Sequence, residues 1–94
     1  MFSHTEDLSK LLKILGDSNR LGIVMSIGRE ARSVTEIIDA TGLSQTLVSF
    51  HLRVLRNAGI VRTERAGPFI YYSLSRPLIL DILTELSNTI NPGK

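Results

Sequence analysis

Residues 43–59 constrain this chain most. Leu43, Leu47, Val48, Leu52, Leu55 and Ala58 recur at three- and four-residue steps, which puts them on one face of a helix. The opposite face carries Gln45, Thr46, Ser49, Arg53, Arg56 and Asn57. Ser44 is placed to cap the helix, because its hydroxyl can accept from a free first-turn N–H. Gly59 follows the last periodic residue, where a left-handed residue closes many helices. The polar face contains no Asp or Glu, whereas an ordinary surface helix mixes both signs. Short polar groups and arginines without carboxylates suit a polyanion with readable base edges, which is double-stranded DNA.

The residues before this helix make it the second half of a pair. Ser33 precedes Val34-Thr35-Glu36, and a Ser followed three residues later by Glu is the capping-box pattern. A helix over about 34–41 buries Val34, Ile37 and Ile38 and ends at Gly42. Two helices joined by so tight a turn make a helix-turn-helix over residues 33–59.

From Ile60 the pattern changes to strand. Residues 60–65 are β-prone, Ala66-Gly67-Pro68 forms a turn, and Phe69 to Leu74 are strongly β-prone. A hairpin over 60–74 directly after such a helix is a wing, with Arg65 at its tip and within reach of phosphate or a minor groove. Tyr71 and Tyr72 are expected as one buried and one exposed strand residue.

Upstream, residues 1–5 are expected to be loose, with Thr5 capping a helix over 6–16 and a second helix following over 19–27. Downstream, Ser75 and Pro77 announce a last helix over 77–90, with Pro77 in its first turn. Leu78, Ile79, Leu80, Ile82, Leu83, Leu86 and Ile90 make that helix apolar nearly all round. A chain of 94 residues has little core to absorb so many faces, so a second copy is the expected partner. The fold class is therefore mainly α with a β-hairpin wing, as a single winged helix-turn-helix domain over 1–94.

Charge supports a local binding face. The net charge is only +2, yet residues 44–76 hold Arg53, Arg56, Arg62, Arg65 and Arg76 against Glu64 alone. The chain has no cysteine, which removes disulfides and thiolate metal sites. No basic n-region precedes an apolar run, and no apolar stretch reaches bilayer-spanning length, so no membrane partner and a cytoplasmic location are expected. With no cysteine nucleophile, no Gly-rich phosphate loop and no carboxylate pair beside a histidine, no enzyme activity, catalytic residue or cofactor is expected.

The stretches LGDSNRLGIVMSI, SVTEIIDATGLSQTLVSFHLRVLRNAGIV and RTERAGPFIYYSL resemble the ArsR/SmtB family of bacterial winged-helix repressors. The resemblance covers about residues 8–86. It implies a dimer held by the first and last helices, with residues 5–16 and 77–90 in those roles, and operator binding that represses transcription. It also implies DNA contact by Ser44, Gln45, Thr46, Ser49, Phe50, His51, Arg53, Arg56 and Arg65. His51 lies beside the apolar face and has packing as its other role. Phe50 departs from the polar residue usual in the family. It can touch a thymine methyl, fold against the helix, or mark altered DNA binding.

The family's metal sites do not transfer. Ser33 and Thr35 stand where a thiolate site needs cysteines, and hydroxyls are poor ligands for soft ions. The positions of the other site hold Arg76, Leu78, Thr89 and Pro92. His4 with Glu6 or Asp7 is the one remaining metal combination, and no metal is expected. Two functions stay open: a homodimeric repressor on an inverted-repeat operator, and a winged-helix protein-interaction module with weak or no specific DNA binding. An inducer, a protein partner or control by abundance alone are equally compatible with the residues. The operator sequence and target genes are not encoded in a readable form.

Overall fold

A computed structural model describes residues 2–91, with side chains from 4 to 91. The chain order is α1 (Phe2–Leu15), α2 (Ser18–Ile27), β1 (Arg32–Ser33), α3 (Val34–Thr41), α4 (Gln45–Asn57), β2 (Val61–Ala66), β3 (Phe69–Leu74) and α5 (Leu78–Ile90). Local chemistry sets most of these ends. Asp17 caps α2, its carboxylate accepting from the Arg20 N–H at 3.0 Å. Ser33 and Glu36 form the expected capping box on α3, with reciprocal bonds of 3.2 and 2.8 Å. Ser44 caps α4 by accepting from the Leu47 N–H at 3.2 Å.

The end of α4 is a Schellman closure. Gly59 takes φ +78, its N–H donates to the Arg56 carbonyl at 3.0 Å, and the Ile60 N–H donates back to Leu55 at 2.9 Å. Leu55 and Ile60, both buried, meet across the closure. The chain thus leaves the helix in a fixed direction and enters the wing.

The wing is an antiparallel hairpin in which Ala66 faces Phe69, leaving Gly67 and Pro68 as a two-residue turn. Gly67 at φ +63 followed by a proline, whose φ is locked negative, has the signs of a type II′ turn. Ala66 therefore belongs to β2 rather than to the turn. A third strand, β1, pairs with β3 through Arg32 opposite Tyr72 and Ser33 opposite Tyr71, giving the order β1-β3-β2. The sequence predicts no strand there. Two residues carry no periodicity, and their strand character comes from β3 alone.

The core gathers Leu15, Ile23, Val24, Ile27, Ile37, Val48, Leu52, Leu55, Ile60, Val61 and Leu74. Four further expectations need correction. Helix α1 begins at Phe2, so residues 2–5 are helical and Thr5 lies inside the helix instead of capping it. Pro77 occupies the cap position of α5 rather than its first turn. Leu47 is 42% exposed, because it sits at the edge of the apolar face. Tyr71 and Tyr72 are both half-buried, since β1 covers one flank of β3.

Helix α5 has only half-buried and exposed residues. Ile79, Leu80 and Leu83 lean on the core, while Leu78, Ile82, Leu86 and Ile90 stay exposed. Leu8 and Leu12 of α1 are exposed as well. Among the described residues, no helix is long and apolar enough to cross a membrane.

Candidate nucleic-acid interface

Helix α4 is aimed by the turn before it. The Gly42 N–H donates to the Ile38 carbonyl at 2.8 Å, and the Thr41 hydroxyl donates to Ile37 at 2.8 Å while accepting from the Leu43 N–H at 3.3 Å. Three residues, 42–44, thus separate α3 from α4. Val48, His51, Leu52 and Leu55 turn inward and seat α4 on α2 and α3. The remaining face turns outward as a consequence of the helical period.

That outward face carries Ser44, Gln45, Thr46, Ser49, Phe50, Arg53 and Arg56, all exposed. Gln45, Thr46, Ser49, Phe50 and Arg53 line a shallow concavity of about 460 Å³. A second concavity of about 390 Å³ continues from Ser49, Arg53 and Arg56 to Asn57 and Tyr72. Tyr72 was not among the expected site residues. Pairing of β3 with β2, which packs on α4, brings it beside that helix, and nothing in residues 69–74 alone signals that.

Arg65 is exposed on β2 opposite Ile70, one pair from the wing turn. Arg62, lower on the same strand, is also exposed, with its Nε 3.4 Å from the Ser73 hydroxyl. The wing and the outer face of α4 therefore present arginines separately.

His51 is the exception among the expected contacts. It is only 6% exposed and lies beneath the reading face. Arg20 Nη1 lies 3.3 Å from its Nδ1. A guanidinium can only donate, so Nδ1 accepts and the ring proton sits on Nε2, which faces Asp17 Oδ2 at 3.9 Å. Arg20 Nε also donates to the Ile14 carbonyl at 2.7 Å. His51 thus ties α4 to the end of α1 and the start of α2, and direct DNA contact by this side chain is corrected to packing. The Asp17 carboxyl is held below the usual carboxylate range, first by the Arg20 N–H, against an opposing effect of desolvation, and then by the charge of Arg20.

The residues at the family's metal positions do not fit a metal. The Ser33 hydroxyl is engaged in the α3 cap, Arg76 is a cation, Leu78 is apolar, and the Thr89 hydroxyl donates to the Leu86 carbonyl at 2.6 Å. Pro92 lies outside the described residues. Among the described residues, no three His, Asp or Glu side chains gather as a metal site.

A helix-turn-helix followed by a β-hairpin defines the winged helix-turn-helix class. Comparison with known proteins agrees. Residues 17–63 match the family described as bacterial regulatory protein, arsR family. The HTH-type transcriptional repressor SmtB of Mycobacterium tuberculosis is 39% identical over 66 residues, covering 70% of this chain and 49% of that protein. The aligned part of the chain thus spans about half the length of that relative. The crystal structure of the transcriptional repressor BigR from Xylella fastidiosa superposes with a TM-score of 0.85 at 31% identity, covering 100% of this chain and 95% of that one. A homodimeric winged helix-turn-helix DNA-binding domain from Mycobacterium bovis, solved by NMR, gives a TM-score of 0.77 at 26% identity over 93% of this chain and 82% of that one. The chain belongs to the arsR family of bacterial regulatory proteins.

Proposed function

We propose that this chain is a cytoplasmic, sequence-specific DNA-binding transcriptional regulator, a homodimeric repressor that occupies an inverted-repeat operator. The carrying observation is the outer face of α4, which is exposed, free of carboxylates, and set on the helix-turn-helix with its polar groups outward. Gln45, Thr46 and Ser49 supply donors and acceptors for base edges. Ser44, Arg53, Arg56 and the wing's Arg65 supply phosphate contacts.

Dimerisation covers the exposed apolar residues Leu8 and Leu12 of α1 with Leu78, Ile82, Leu86 and Ile90 of α5. A two-fold axis then sends two recognition helices into successive major grooves, about one helical turn apart. Occupancy of a promoter-proximal site blocks polymerase. Control through the family's usual metal ions is not part of this function, since the residues at those positions offer no suitable ligands.

The test is a fluorescence-anisotropy titration of the protein against DNA upstream of its own gene, at two salt concentrations with random DNA as competitor. Tight, competitor-resistant and salt-sensitive binding is expected. Weak binding shared equally with random DNA rejects the function.

A further inference from the structure

Phe50 sits in the middle of the outer face of α4 with 52% of its surface exposed. Helix α4 does not need it for packing, because Val48, His51, Leu52 and Leu55 hold the helix to the core. Its neighbours in the concavity are Gln45, Thr46, Ser49 and Arg53, all hydrogen-bonding side chains. The concavity therefore holds one apolar side chain framed by polar groups, with the exposed Leu47 outside its lining. The major-groove edge of a base-paired thymine has the matching pattern, a 5-methyl group beside the O4 acceptor and the polar edges of adjacent bases.

The ring is also held in place. Its centroid lies 5.1 Å from that of His51, with the planes at 67°, an edge-to-face arrangement. His51 is itself buried and engaged by Arg20. A side chain already restricted loses less freedom on binding, so its contact contributes more to discrimination.

We infer that Phe50 is a specificity-determining residue that reads thymine in the major groove through its 5-methyl group. The assignment rests on the DNA-reading function proposed above. Its test begins by selecting bound sequences from a randomised duplex pool with the wild-type protein. Each thymine of the selected site is then replaced singly by uracil, which removes only the methyl group. At one thymine in each half-site the wild type should lose about four-fold in affinity, the worth of burying one methyl. Phe50→Ala should bind that thymine and its uracil replacement equally, with an unchanged salt slope. Phe50→Leu, which keeps an apolar side chain, should retain part of the preference. Enrichment of a sequence with uracil effects identical in wild type and Phe50→Ala overturns the assignment alone. A pool from which no sequence is enriched overturns the DNA-reading function and this assignment together.

Discussion

The Arg20 guanidinium lies 3.3 Å from Nδ1 of His51, 31 residues further along the chain. Through this pair the start of α2 grips the middle of the recognition helix from below. The same guanidinium holds the Ile14 carbonyl at 2.7 Å, so α1, α2 and α4 meet at one cation. His51→Ala should therefore destabilise the fold by about 2–3 kcal/mol, combining a cavity with the loss of a buried polar partner. Urea denaturation of wild type and variant measures it. An unchanged midpoint would mean that the pair contributes nothing.

Below its usual range, the Asp17 carboxyl is stabilised as the anion in the folded state. A depressed carboxylate contributes stability that is fully present above the ordinary aspartate value of about 4 and is lost as pH falls through the lower folded value. Asp17→Asn keeps a competent cap but removes the titration. Unfolding followed from pH 7 to pH 2.5 should show a smaller acid-side loss in the variant, and parallel curves would contradict the assignment.

Arg53 and Arg56 should act on affinity without regard to sequence. Each alanine substitution should weaken binding to specific and random DNA alike and lower the salt slope by about 1. Gln45→Ala should instead cost about 1–3 kcal/mol on the preferred site and relax preference at one base pair. Anisotropy titrations over a salt series separate the two behaviours.

The exposed apolar residues of α5 predict what breaks the dimer. A charged residue at Ile82 or Leu86, as in Ile82→Glu or Leu86→Arg, places an uncompensated charge in the proposed interface and should yield a monomer in sedimentation. Losing the linked half-site should weaken operator binding by about 10²–10⁴-fold. A variant that remains a dimer would remove α5 from the interface.

Gly59 at φ +78 has nothing within 4 Å of the place a Cβ would occupy. Gly59→Ala should thus cost only the backbone strain of a left-handed alanine, about 1 kcal/mol. Thermal unfolding measures it. A much larger loss would show that the closure between α4 and the wing is intolerant of any change in direction.

Features that adjacent residues settle among themselves are readable along the chain. The Ser33–Glu36 box, the Ser44 cap, the closure at Gly59 and the turn at Gly67 are satisfied by bonds spanning a few residues, so their chemistry is legible in order along the chain. The carboxylate-free face was legible for the same reason, since helical spacing alone puts Gln45, Ser49 and Arg53 together. What covers each face depends instead on distant elements. His51 is buried because Asp17 and Arg20 come from a distant helix start, and β1 exists because β3 offers Tyr71 and Tyr72 as partners. Leu47 is exposed, although its spacing matches the core, because nothing packs over that edge of α4. Periodicity states which residues share a face, whereas burial depends on which other element arrives there, and that is a long-range property of the folded chain.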